Sequence, residues 1–127
     1  MNGVKIKLNQ DEIFALQIQL TACIELLSKN QPDITLAVMA KEIHQKLQEK
    51  EFQRHMAKKP KVSVRFSEAQ TAALDFLLSV QTTVKSMNTY YNTVICTVQT
   101  ECNKYLTNIT TYTTDETIQE VKKIEAA

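Results

Sequence analysis

Val62-Ser63-Val64-Arg65-Phe66-Ser67-Glu68-Ala69-Gln70 carries two signals in succession. Apolar and polar residues alternate from Val62 to Phe66, the period of a strand with one buried face. Ser67 then offers a helix cap, and Gln70, three residues on, can reach back to the cap's amide. That is a capping box. The same two signals stand 58 residues earlier in Val4-Lys5-Ile6-Lys7-Leu8-Asn9-Gln10-Asp11-Glu12. There Asn9 is the cap and Glu12 its partner. The match continues more loosely through Leu16/Leu74, Ile18/Phe76, Leu20/Leu78 and Ser28/Ser86. We read an internal duplication of a β-α-α unit. Two independent strand-to-helix junctions are the alternative.

Outward from the first junction, Ile13, Leu16, Leu20, Cys23, Ile24 and Leu27 form the apolar stripe of a helix from about Gln10 to Leu27. Phe14 and Ile18 widen it. Ser28-Lys29-Asn30-Gln31-Pro32 breaks it, because a residue before proline is pushed away from helical geometry. A second helix is expected from about Asp33 to Lys58, with Leu36, Ala40, Ile43 and Leu47 buried and Lys59-Pro60-Lys61 as its end.

The second half reads differently. A stripe runs Ala73, Leu77, Val80, Val84, Met87, Tyr91, Val94, Val98, Cys102, Tyr105, Ile109 in steps of three and four. One reading is a single helix from Ser67 to about Leu106, ~60 Å long at 1.5 Å per residue. Its far end would need a partner, so this reading implies a dimer. The other is two helices with a cap near Asn88 or Thr89. Thr and Val are mediocre helix formers, which makes a break reasonable; the continuous helix is slightly favoured. Thr107 to Thr114 is β-branched and turn-forming and reads as a loop or short extended piece. Asp115 could cap a short terminal helix bearing Ile118, Val121 and Ile124.

The chain has 127 residues, 43% hydrophobic and 23% charged, the composition of one ordinary globular domain. One Gly and two Pro argue against an all-β fold and against a glycine-rich phosphate loop. Lys5 and Lys7 interrupt the N-terminal apolar residues, so no signal peptide is read. No window approaches the ~18 apolar residues of a membrane span. Three cysteines, Cys23, Cys96 and Cys102, are an odd count that suggests reduced thiols and a cytoplasmic location. The Asn108-Ile109-Thr110 sequon is then a chance match.

Net charge is +1, but residues 41–65 hold eight Lys/Arg against three Glu. Lys46, Lys50, Arg54 and Lys58 recur every four residues and stack on one helix face. Such a ridge can bind phosphates. It can equally be a solvated face with Glu42–Lys46 and Glu51–His55 pairs, which is the more common meaning of a surface charge run.

Phosphate-loop, dinucleotide-binding and zinc-protease motifs are absent from the sequence. Cys96 and Cys102, six apart, face different sides of a helix. His44 and His55 share a face but would stand ~16 Å apart, too far for one metal. No cofactor or metal site is expected, and an unrecognised enzyme is the third-ranked function.

Lys61-Val62-Ser63-Val64-Arg65-Phe66-Ser67-Glu68, followed by an Ala/Leu-rich helix, resembles the opening of ribbon-helix-helix DNA-binding domains. In that family two strands, one per subunit, pair antiparallel and lie in the major groove. The resemblance implies that here both strands come from one chain, with Val4, Ile6, Leu8, Val62, Val64 and Phe66 against the helices. It implies that Lys5, Lys7, Ser63 and Arg65 face outward as candidate groove contacts, Arg65 suiting guanine. It covers about ten residues of each half. The first helix here is longer than the family's, and Asp33 stands where the family clamps a phosphate.

The expected fold is therefore α+β and mostly helical: a duplicated β-α-α unit with a two-stranded antiparallel ribbon packed on helices. One domain spans 1–127, with halves of about 4–58 and 62–109 and a tail or short terminal helix over 110–127. The first-ranked function is a non-enzymatic cytoplasmic interaction or accessory protein, a homodimer joined through Val84, Met87, Tyr91, Val94, Val98, Cys102 and Tyr105. The alternative is DNA binding through Lys5, Lys7, Ser63 and Arg65 with Lys46, Lys50, Arg54 and Lys58. A membrane partner is not expected, and no particular protein partner is implied.

Overall fold

The computed structural model describes residues 3–29, 34–82 and 89–126, with the backbone alone for residues 28, 34 and 109–126. The order of elements is β1 (Lys5–Leu8), α1 (Gln10–Lys29), α2 (Ile34–Ala57), β2 (Val62–Arg65), α3 (Glu68–Ser79) and α4 (Thr89–Ala126). The chain is thus a mostly helical, duplicated strand-helix-helix arrangement with a small antiparallel sheet on helices, in keeping with the ribbon-helix-helix resemblance.

Both capping boxes form. Glu12 N donates to Asn9 Oδ1 at 2.8 Å, and Asn9 N donates to Glu12 Oε1 at 2.9 Å. Gln70 N donates to Ser67 Oγ at 3.1 Å, and Ser67 N donates to Gln70 Oε1 at 3.0 Å. Each box satisfies two backbone donors that a helix start would leave free.

The strand register fixes the symmetry of the duplication. Lys5 pairs with Arg65, Ile6 with Val64, Lys7 with Ser63 and Leu8 with Val62. Ile6 and Val64 are equivalent residues of the two halves, 58 apart, and they face each other. A two-fold axis through that pair exchanges every other pair in the ribbon. The helices follow the same axis in outline: α1 packs on α2, α3 on α4, α2 on α3 and α1 on α4. The relation breaks at the flanks of the ribbon. α2 packs on β2, whereas α4 makes no comparable packing on β1 among the described residues.

Val4, Leu8, Val64 and Phe66 are buried as the alternation requires. Ile6 and Val62 are only half-buried, packed at the margin of the core, because the helices do not cover the whole inner face of the ribbon. The core gathers Ile13, Leu16 and Leu20 of α1, Ala40, Ile43 and Leu47 of α2, Leu74, Leu77 and Leu78 of α3, and Val94, Ile95 and Val98 of α4.

The continuous helix expected from Ser67 to Leu106 does not form. α3 ends at Ser79, and Val80 is extended at φ −67°, ψ 131°. The reason lies in α1. The buried Gln19 side chain donates from Nε2 to Leu77 O and Val80 O, both at 3.0 Å. Its Oε1 accepts from Thr82 Oγ1 at 2.6 Å. Gln19 therefore supplies donors to carbonyls at a helix end and holds the outgoing chain away from helical geometry. Of the two readings, two helices is the one observed, the second beginning at Thr89; residues 83–88 lie outside the described residues.

The loop expected at Thr107–Thr114 is also absent, as is the separate helix capped by Asp115. α4 runs unbroken through both to Ala126. No Gly or Pro interrupts it, and the Thr penalty of at most ~0.7 kcal/mol per residue does not stop a helix already propagating.

Val94, Val98 and Cys102 are 5%, 1% and 0% exposed, packed inside the chain's own core against its other helices. A second copy could reach them only by opening that core. Tyr91 and Tyr105 are half-buried against the same core. Val84 and Met87 lie outside the described residues.

Candidate nucleic-acid interface

The outer face of the ribbon carries Lys5, Lys7 and Arg65, all exposed, and Ser63, half-buried. Only the narrow pairs of an antiparallel ladder exchange backbone hydrogen bonds. Phe66 N donates to Val4 O at 2.9 Å, which makes Val4–Phe66 a narrow pair and Lys5–Arg65 a wide one. The backbone groups of Arg65 therefore point off the edge of the sheet, toward α2.

Lys46 of α2 meets that edge. Its Nζ donates to Arg65 O at 2.8 Å and to Gln70 Oε1 at 2.6 Å, and it sits 5.8 Å from the centre of the Phe66 ring. Gln70 thus serves two ends, closing the α3 cap and holding Lys46. An ammonium has three N–H donors, so one remains for a ligand. Partial burial, then the neighbouring Lys50, lower the Lys46 pKa from its ordinary value, while Glu42 opposes them.

This packing brings the two candidate sets together. Lys5, Ser63 and Arg65 from the ribbon and Lys46 and Lys50 from α2 line one open concavity of about 990 Å³. Ser67, Glu68 and Ala69 at the start of α3 complete its wall. Glu68 is the carboxylate there, and its Oε1 accepts from Tyr105 OH at 3.1 Å. The same phenol oxygen accepts from Gly3 N at 3.1 Å. Tyr105 of α4 thus ties the chain's start to α3.

Three candidates stand apart. Lys7 is exposed on the ribbon but outside the concavity. Arg54 is engaged on every side: Nε and Nη2 donate to the Glu51 carboxylate, both at 2.8 Å, and Nη1 donates to Lys59 O at 2.8 Å. That bond from Arg54 is the chief cause holding the Glu51 carboxyl below its usual value. Lys58 is left-handed at φ 54°. Lys58 N donates to His55 O and Lys59 N to Arg54 O, both at 3.2 Å, which closes α2 in a Schellman turn. Arg54 and Lys58 therefore serve the end of α2. The Glu42–Lys46 and Glu51–His55 pairs read from spacing are replaced by Lys46–Gln70 and Glu51–Arg54.

The remaining chemistry is sparse. Burial, with help from Asp75 and Glu101, pushes the Cys102 thiol up to about 12, so it is a core thiol and not a nucleophile. Among the described residues no three His, Cys, Asp or Glu side chains are grouped to hold a metal ion. None of the described helices is long and apolar enough to cross a membrane.

Ser67, Glu68, Ala69 and Gln70 were missing from the sequence-based set. Ser67 and Gln70 were legible only as a cap, and nothing in the spacing tied Gln70 to a lysine 24 residues away. Compared with known proteins, the chain matches no family model, no curated protein and no solved structure.

Proposed function

We propose that this protein binds nucleic acid, using the outer face of the ribbon and the adjoining face of α2. The observation that carries the reading is the convergence of Lys5 and Arg65 with Lys46 and Lys50 on one concave surface. Four cations on a shared surface attract a polyanion by electrostatics, and displaced counterions drive the association. Two neighbouring strands ~4.8 Å apart fit a major groove ~12 Å wide, with outward side chains reaching base edges. Arg65 is the residue suited to a bidentate contact with guanine. The ribbon-helix-helix resemblance points the same way.

The other expectation, self-association along the 84–105 stripe, draws no support from this arrangement, because Val94, Val98 and Cys102 are occupied within the chain.

The test is a fluorescence-anisotropy titration with labelled duplex DNA at low and physiological salt. Binding is expected at low salt, with log K falling linearly against log salt. Lys5→Ala combined with Arg65→Ala is expected to weaken binding at least about tenfold, two lost contacts at ~1 kcal/mol each, with the circular dichroism spectrum unchanged. Absence of binding at low salt refutes the proposal.

A further inference from the structure

The two-fold relation of the halves makes a sharper statement, one that rests on the nucleic-acid reading above. Rotation about the Ile6–Val64 pair takes Lys5 onto Ser63 and Lys7 onto Arg65, and the 58-residue offset of the sequence sets Lys46 beside Lys104 and Lys50 beside Asn108 as counterparts. The two flanks of the ribbon can therefore be compared residue by residue. On the α2 flank Lys46 is anchored to the strand edge and Lys50 adjoins it in the concavity. On the α4 flank Lys104 is 68% exposed and turned to Glu101 at 3.5 Å, and Asn108 carries no charge. α2 packs on β2, and among the described residues α4 does not pack comparably on β1.

We infer that one chain binds duplex DNA by itself, one to one, and grips the phosphates of one DNA strand only, through Lys46 and Lys50 beside Lys5 and Arg65. Both strands of the ribbon come from one chain, so no second copy is needed to complete it. The geometry makes the grip one-sided. A helix with its side chains is ~10–12 Å across and cannot enter a ~12 Å groove beside the ribbon. α2 must ride on one rim of the groove, where the phosphates of a single strand pass. The other rim gains no such helix, since α4 does not pack comparably on β1 among the described residues, and Lys104, the counterpart of Lys46, is paired with Glu101. Lys46 keeps one unused donor, and an anion between Lys46 and Lys50 would offset their mutual repulsion.

The probe is a labelled duplex of about 14 base pairs, little more than one helical turn, with uncharged methylphosphonate linkages in neither, one or both strands. Two phosphates gripped by Lys46 and Lys50 predict a salt slope of at least about −1.8, and Lys50→Ala is expected to lower its magnitude by about 0.9. Lys50→Gln, which keeps the side chain's bulk, should behave alike. Lys104→Ala should change neither slope nor affinity. Neutralising one DNA strand should weaken binding only about twofold, because the protein can turn round and use the intact strand. Neutralising both should abolish it. Sedimentation should give one chain per duplex.

A tenfold loss on neutralising one strand overturns the one-sided grip while leaving nucleic-acid binding intact. Two chains per duplex, or equal losses from Lys104→Ala and Lys50→Ala, do the same. Failure of the unmodified duplex to bind at low salt removes both this inference and the reading beneath it.

Discussion

In the first half α1 runs for 20 residues and α2 for 24, whereas in the second α3 runs for 12 and α4 for 38. The two halves start alike, each strand passing through a capping box into its helix. They part where Gln19 faces Leu77, its own equivalent 58 residues on. A glutamine on one side of the two-fold axis and a leucine on the other cannot make symmetrical contacts. The amide takes the carbonyls at the end of α3. A single buried polar side chain near the axis thus accompanies a helix shortened by eight residues.

That comparison can be broken hardest at Val98, the equivalent of Ala40; both are buried. A carboxylate at a buried, apolar position is unpaired, so Val98→Asp is expected to cost more than about 4 kcal/mol. It should unfold the isolated chain, as read by thermal denaturation. A folded Val98→Asp protein with an altered mass would instead return Val98 to an intermolecular seam. Gln19→Leu makes the two sides of the axis alike. It removes the amide donor from Leu77 O and Val80 O, leaving Leu77 O the longer bonds from Cys23 Sγ and Val80 N, and should cost about 1–3 kcal/mol in a urea titration. Unchanged stability would mean that α3 ends at Ser79 for another reason.

The smallest expected effect concerns Asp75, whose equivalent is the uncharged Gln17. Asp75 Oδ1 is buried without a hydrogen-bond partner among the described residues, and burial raises the carboxyl pKa above its ordinary value. With a folded pKa above the unfolded one, the folded state binds the proton more tightly, so stability falls as pH rises through the folded pKa. Asp75→Asn should therefore raise the melting temperature at neutral pH, with the gain fading as pH drops through the carboxylate range. A gain that persists undiminished in acid would remove the ionised carboxylate as its cause.

Much of the fold was legible because its signals are local. Strand alternation and the Asn9/Glu12 and Ser67/Gln70 caps lie within nine residues each, and they place both strands and the starts of α1 and α3. The end of α3 was not legible, since it depends on Gln19, far away in sequence. The run from Thr107 to Thr114 misled because propensity is a weak preference, and an established helix overrides it where no Gly or Pro intervenes. Spacing on α2 identified a ridge but could not divide it. Lys46 and Lys50 turn to the ribbon, whereas Arg54 is drawn to Glu51 and the helix end. The stripe over Tyr91–Tyr105 was legible as apolar, and part of it is buried within the chain's own core; periodicity reports that a face is buried and not what buries it.

The ribbon has a further consequence for how the chain folds. β1 and β2 pair across the whole of α1 and α2, so direct closure would set the entropy of a loop of some fifty residues against four pairs of strand residues. The α1–α2 hairpin, built from contacts nearer in sequence, brings the strand ends close before they meet. Pairing of the strands then belongs to the late side of the folding barrier, after local helical contacts have met most of the chain's entropic cost. The surface formed by both strands exists only once the helices have assembled.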